Sequence, residues 1–276
     1  MNICIIAGQG NLPKSLASNS KNRFVICIKG LCQIDDFNEP KTEISIFEFE
    51  KIIDLLKKNN IKKIIFAGKF YRPDNTNIKI DKTTKLLLNK VYQNGDNNVL
   101  VMIKTFFENQ GFEILPPTYI YKKNLFKNYK IFSNKKNKLK FELVIKSTEY
   151  GFNLLNEISK FDVGQAAVVY ENHVIGIEGL EGTNALIERC GILFKNKLQN
   201  NNSLIGPVLV KFPKKNQSLA IDMPVIGIET IKLCYKHNFI GVSVSKSGTL
   251  ILDQEKIIDF CRSNDFIFYP VGDLNP

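Results

Sequence analysis

The sequence predicts an α/β protein in two parts: an N-terminal Rossmann-like domain with a parallel sheet, residues 1–132, and a C-terminal mixed α/β domain, residues 133–276. Three observations carry this. Short apolar runs ending in glycine recur in the first half with helical segments between them. The second half changes to strand pairs joined by turn residues. Between them, from about Tyr121 to Asn137, charge rises and periodicity fades.

Taken in order, NICIIAG (Asn2 to Gly8), RFVICIKG (Arg23 to Gly30) and KKIIFAGKF (Lys62 to Phe70) read as buried parallel strands. FEFEKIIDLLKKNN places Ile52, Ile53, Leu55 and Leu56 at helical spacing, NNVLVMIKTFFENQG has a similar face, and FEILPP returns as a strand. Ligands of such a doubly wound sheet bind beyond the carboxyl ends of its strands. In the second half, AAVVYENHVIGIEG predicts a hairpin turning at Glu171 and Asn172, PVLVKF a further strand, and VSVSKSGTLIL a second hairpin turning at Lys246 to Gly248. Helices are expected at Thr183 to Cys190, Thr230 to His237 and Asp253 to Ser263.

Composition narrows the class. Apolar residues make up 44% and charged residues 24%, the balance of a soluble globular chain. No window approaches a membrane span and no secretory leader is evident, so a cytoplasmic protein is expected. The six cysteines are scattered without a CxxC pair, which predicts free thiols and no zinc site. The two histidines, His173 and His237, each adjoin Asn and are expected at turns. Net charge is +11, and nine lysines fall between Lys122 and Lys146 against the single acid Glu142. Such a stretch meets nucleic acid, an anionic leaflet or a phosphorylated ligand, or is simply a solvated linker.

Several short motifs carry candidate chemistry. IAGQGNLP sets Gly8 and Gly10 at a strand end, where backbone can approach a phosphate; Pro13 stands where a dinucleotide fingerprint has its third glycine. FAGKFYRPD places Lys69 and Arg72 just beyond the third strand, as phosphate-binding cations or as solvated loop charges. Asp96 in GDNN reads as a helix cap. DVGQAAVV and IEGLEGTN gather Asp162, Gln165, Glu178, Glu181, Gly182 and Thr183 at strand ends, a cation- or sugar-binding edge or a set of caps and turns. Asp222 is the lone acid of FPKKNQSLAIDMPVIG, which reads as an apolar strand where a carboxylate needs a partner such as a metal. Loops of the GxxxxGK[ST], GxSxG and HExxH types are absent from the sequence, as is any His-rich dinuclear site.

In sequence order, IAGQGNLP, AGKFYRP, GDNN, DVGQAAVV, IEGLEGTNALI, VLVKFPKKNQ, IDMPVIGIETI and GVSVSKSGTLILD resemble the UDP-2,3-diacylglucosamine pyrophosphatase family of LpxI type, nearly end to end. The resemblance implies Mg²⁺-dependent hydrolysis of UDP-2,3-diacylglucosamine to UMP and 2,3-diacylglucosamine 1-phosphate in lipid A synthesis. It implies Asp222 as catalytic acid and metal ligand, with Gly8, Gly10, Lys69, Arg72 and Asp96 on N-terminal ligand-facing loops. Asp162, Gln165, Glu181, Gly182, Thr183 and Lys211 fall on the matching C-terminal positions. It further implies a homodimer; the basic surface, with such a substrate, leads to an expectation of peripheral contact with the inner membrane leaflet, and no nucleic acid is expected as partner because no recognised RNA-binding fold surrounds the lysine-rich stretch. Against the family pattern, Asn97, Asn184, Ser218 and Ala220 replace three acids and an arginine. Those replacements motivate a first rival, a catalytically silent nucleotide-sugar or lipid binder. The lysine-rich stretch motivates a second, an RNA-binding module.

Overall fold

A computed structural model of the chain describes residues 3–19, 23–70, 80–91, 96–121, 138–198, 205–215 and 217–272. Contacts divide it into two compact units, Met1–Lys123 with Ser218–Met223, and Asn124–Gln217 with Pro224–Pro276. The expected change of domain at 132/133 falls outside the described residues. A short segment of the second half, 218–223, makes its contacts with the first unit.

In the first unit, β1 (Ile3–Ala7) is buried along its whole length, which requires a sheet covered on both faces. β2 (Arg23–Ile28), β3 (Lys41–Ile44), β4 (Lys63–Ala67) and β5 (Glu113–Ile114) join it, all parallel, in the order β3-β2-β1-β4-β5. β3 has no counterpart among the sequence-based expectations. Its KTEI carries two charges and buries only Ile44, the character of an edge strand that discourages further pairing.

The helices of this unit are α1 (Leu12–Ser18), α2 (Phe49–Lys58), α3 (Lys82–Val91) and α4 (Asp96–Asn109). Phe49, Ile52, Ile53 and Leu56 form the buried stripe of α2, and the chain leaves the helix where Asn60 takes a φ of 52°. Phe107 of α4 sits among Phe49, Phe66, Phe106 and Phe112, with ring centroids 5.5 to 6.1 Å away. This aromatic cluster fixes α2 and α4 against the sheet.

One expectation about cysteine is overturned here. Cys27 and Cys32 form a disulfide, their Cα atoms 5.8 Å apart. The chain doubles back after β2, with the N–H groups of Leu31 and Cys32 both donating to Ile28 O, and this carries Cys32 over Cys27. Cys4, Cys190, Cys234 and Cys261 are free and buried. Burial pushes all four thiols up, Cys190 to about 11 and Cys261 to about 12, so little thiolate exists near neutrality and these side chains act as core.

The second unit opens with α5 (Lys138–Ile158), a long helix that sequence periodicity did not reveal because lysines crowd its first turns. Gly151 lets it lie close to the sheet: a Cβ there would stand 2.8 Å from Val210. The sheet comprises β6 (Ala166–Tyr170), β7 (His173–Ile177), β8 (Val208–Lys211), β10 (Gly241–Ser245) and β12 (Ile267–Val271), in the order β12-β10-β8-β6-β7. β6 is antiparallel to β7 and β8, whereas β8, β10 and β12 are parallel. Glu171 and Asn172 both take positive φ, 47° and 63°, as a two-residue hairpin turn requires. α6 (Gly182–Leu193), α7 (Ile228–Lys236) and α8 (Gln254–Ser263) stand where the sequence predicts them. His173 heads β7 and His237 follows α7.

The second predicted hairpin is not formed. β9 (Val225–Ile226) and β11 (Leu250–Ile251) pair with each other as a separate parallel two-stranded sheet. Residues after β10 cannot fold back onto it, because β8 and β12 already occupy both of its edges. The turn there instead closes through the Gly248 N–H donating to Ser245 Oγ at 2.9 Å, and Leu250 N–H goes to Pro224 O. Among the described residues no helix is long and apolar enough to cross a membrane.

Candidate functional site

At the carboxyl edge of the first sheet, the loop after β1 is zipped to the loop after β4. The Gln9 and Lys69 backbones exchange two hydrogen bonds of 2.9 Å, and Gly8 N–H donates to Ala67 O at 2.8 Å. The glycines serve this closeness. A Cβ on Gly8 would stand 2.5 Å from Lys69 O, and one on Gly68, whose φ is +93°, would stand 2.6 Å from Gln9 O. Gly8 N–H is thus spent on the protein itself, while Gly10, with φ +108°, has open space around it. Lys69 is exposed beside them. Arg72 lies outside the described residues, and Asp96 opens α4 with a side chain that is likewise not described.

Gly68→Ala should therefore lower stability by about 1–3 kcal/mol, since a non-glycine residue at that φ is strained and its Cβ enters the loop opposite. Thermal unfolding of the variant measures the loss. An unchanged midpoint would mean that the two loops are not held as described.

Asp222 is not where the sequence reading put it. Residues 218–222 turn rather than extend: the N–H groups of Ile221 and Asp222 donate to Ser218 O at 3.1 and 2.9 Å, and Asp222 is exposed. Strand structure begins only at Val225, after Pro224. The Asp222 carboxylate meets solvent and carries no burial cost that a metal would have to offset. Ile221 packs into the core of the first unit and shares a cavity with Ile6, two residues before Gly8, and with Phe70, next to Lys69. Asp222 thus belongs to the same unit as Gly8, Gly10 and Lys69.

In the second unit the register of the sheet gathers a polar cluster at one edge. Ala166 pairs with Lys211 and Ala167 with Ile177, so Gln165, Glu178 and Lys211 end adjacent strands side by side, and α6 starts beside them with Gly182 and Thr183. Glu178, Thr183 and Lys211 are all buried. Lys211 Nζ donates to Thr183 Oγ1 at 2.8 Å, Thr183 Oγ1 donates to Glu178 Oε1 at 2.6 Å, and Gln165 N–H donates to Glu178 Oε2 at 3.1 Å. A buried ammonium and a buried carboxylate are thus linked through one hydroxyl. Gly164 makes room for the cluster, since a Cβ there would meet Glu178 O at 2.1 Å. Gln165 Oε1 is buried with no hydrogen-bond partner among the described residues. A buried carbonyl in that state is an acceptor awaiting a donor from ligand or water.

The rim is exposed and paired. Asp162, with φ 57°, forms an ion pair with Lys214. Glu181 receives Arg189 at 3.1 Å, and its own backbone N–H, aided by that guanidinium, holds its carboxyl below the usual range. The structure therefore unites Gln165, Thr183 and Lys211 and leaves Asp162 and Glu181 at the margin. Glu178 is the residue that motif reading undervalued: it stood beside Glu181 in IEGLEG, and only burial tells the two acids apart.

Among the described residues, no three His, Cys, Asp or Glu side chains cluster closely enough to cage a metal ion. Glu178 already serves a hydroxyl and a backbone amide. An exposed single carboxylate such as Asp222 does fit Mg²⁺, which commonly keeps its waters and binds one or two carboxylates together with phosphate oxygens.

Comparison with known proteins follows the two units. A family model described as LpxI N-terminal domain matches residues 2–124, and one described as LpxI C-terminal domain matches residues 135–269. The chain is also similar to a UDP-2,3-diacylglucosamine pyrophosphatase LpxI of Caulobacter vibrioides, with 27% identity over 261 residues, covering 92% of this chain and 91% of that protein.

Proposed function

We propose, from the premise that the chain belongs to the LpxI family, that it hydrolyses the pyrophosphate of UDP-2,3-diacylglucosamine, giving UMP and 2,3-diacylglucosamine 1-phosphate for lipid A synthesis. The observation that supports the reading is that 218–223, with Asp222, makes its contacts with the unit whose doubly wound sheet carries the glycine and lysine loops at its carboxyl edge. The name of the Caulobacter relative supplies the substrate class.

In this reading one P–O bond of the pyrophosphate breaks as water adds to that phosphorus, and the bridging oxygen departs with the other phosphate. Asp222 holds the attacking water and receives its proton, or ligates Mg²⁺, or both. Mg²⁺, when bound, would neutralise charge on the pyrophosphate oxygens, with Asp222 as its protein ligand. Lys69 and Arg72 offset charge from the first unit. In the second unit taken by itself, the buried Lys211 ammonium, held by Thr183, and the Gln165 carbonyl, which has no hydrogen-bond partner among the described residues, offer one cation and one acceptor to a polar ligand. Gly8, Gly10, Asp96, Asp162, Glu181 and Gly182 complete the proposed binding loops. A net charge of +11 and an acylated substrate favour peripheral contact with an anionic inner leaflet, and a homodimer is the proposed assembly.

The test is purified protein with UDP-2,3-diacylglucosamine, with and without Mg²⁺, following UMP release. Turnover that requires added Mg²⁺ is the expected result. Tight retention of the nucleotide lipid without UMP would favour instead the silent binder that the Asn97, Asn184, Ser218 and Ala220 replacements bring to mind.

A further inference from the structure

Of the six cysteines, only Cys32 is not fully buried. It stands half-buried in the loop after β2, bonded to Cys27, which is wholly buried and pairs with Ala7 of β1, the residue before Gly8. The crosslink thus lies at the carboxyl edge of the first sheet, beside the strand that leads into the glycine loop. Gly30, with φ +82° and open space around it, turns the chain back so that the two sulfurs meet. Beyond Cys32 the loop runs to Asp36, whose carboxylate meets Lys14 of α1 at 2.7 Å, and α1 itself follows Gly10. The loop also has ties that are not covalent. Leu31 packs against the core, and the Leu31 and Cys32 N–H groups both donate to Ile28 O, whereas the ion pair to Lys14 is a surface one and holds weakly. The disulfide is therefore the tie whose loss frees the loop most, and Cys32 is the sulfur that a reagent in solution can reach.

We propose that Cys27 and Cys32 are a reversible thiol–disulfide pair that sets how tightly the carboxyl edge of the first unit holds a nucleotide. The inference rests on the reading that the ligand is a uridine nucleotide and goes beyond it by placing that binding under redox control. Such nucleotides are handled inside the cell, where thiol buffers keep most cysteines reduced and a disulfide, when formed, is transient or sensing. A dithiol reductant balances the opening step. Its thiolate attacks Cys32 Sγ, Cys27 Sγ leaves as thiolate and takes up a proton, and the second thiol of the reductant then displaces Cys32 as it closes its own disulfide. Oxidation runs the same exchange backward with a disulfide such as oxidised glutathione. In the oxidised form the loop after β2 is ordered before the ligand arrives, so binding costs less. In the reduced form the ligand itself must order the loop, and binding weakens. The four other cysteines are free and buried, and take no part.

The experiment equilibrates the full-length protein in glutathione or dithiothreitol buffers of graded ratio, scores the pair by thiol alkylation and mass, and measures UMP affinity by calorimetry in each state. The reduced protein is expected to bind UMP about five- to twentyfold more weakly than the oxidised one. By reciprocity, saturating UMP should favour the disulfide by the same factor, lowering the midpoint of the pair by about 20 mV for a fivefold effect. A disulfide that serves only the fold would move the unfolding midpoint and leave both of these readings unchanged. Cys32→Ser should bind UMP as the reduced protein does and ignore the buffer, and Cys27→Ala serves if the first variant does not fold. Failure of the pair to interconvert at any ratio, equal UMP affinity in the two states, or a redox response that persists in Cys32→Ser overturns the proposal. Redox-dependent UMP binding without hydrolysis of the acylated nucleotide would leave it standing and defeat the proposed reaction; hydrolysis with redox-independent UMP binding would do the reverse.

Discussion

Asp222→Ala should reduce kcat for UDP-2,3-diacylglucosamine by about 10²–10⁴-fold while leaving the fold and nucleotide binding nearly intact, the range expected when a proton-accepting or metal-holding carboxylate is lost. Exposure makes the separation clean. An exposed side chain on a turn gives up a surface interaction at modest cost, so the variant's stability should lie within about 1 kcal/mol of wild type. Asp222→Asn should lose activity as well, because an amide neither accepts the water's proton nor balances a divalent charge. The turn itself is anchored by Ile221 in the core and by Ser218 O, neither of which the change touches. UMP release by Asp222→Ala at the wild-type rate would remove this residue from the mechanism, and the excursion of 218–223 would then be a packing feature alone.

That excursion marks the limit of what the residues disclosed beforehand. Strands that are apolar at every position, such as ICIIA and RFVICI, announce a covered parallel sheet, and the Phe49–Ile52–Ile53–Leu56 stripe announces α2, because period and burial coincide. β3 stayed hidden since an edge strand keeps its charges, and α5 since its first turns are lysine-rich. VSVSKSGTLIL has the alternation of a hairpin, yet pairing depends on which neighbours already flank a strand, and β8 and β12 are far off in sequence. Asp222 shows the same limit at the site. An acid amid apolar residues reads as buried, but the apolar neighbour Ile221 turns inward and the acid turns out. Glu178 is the converse: nothing local separates it from Glu181, and its role arises from three strands ending in register.

That register leads to the second large expected effect. Glu178→Ala should destabilise the second unit by about 3 kcal/mol, because it withdraws the carboxylate that Thr183 and the Gln165 amide address and that balances the buried Lys211 ammonium. For a chain of this size that is a fall of about 6–12 °C in the unfolding midpoint. Lys211→Met should cost less, because the carboxylate keeps its two donors and methionine fills similar volume. Glu178→Gln falls between them: one amide oxygen can still accept from Thr183, but its NH₂ then faces the Gln165 N–H, donor against donor. Activity should follow a different order. If Lys211 addresses the ligand, Lys211→Met loses kcat/KM out of proportion to its stability, whereas Glu178→Gln loses it mainly by letting Thr183 and Lys211 drift, and raises KM. Urea unfolding and steady-state rates on the three variants separate the two scales. A Glu178→Ala protein as stable as wild type would show that the ammonium finds its balance elsewhere, and Glu178 would no longer be the residue that holds this edge together.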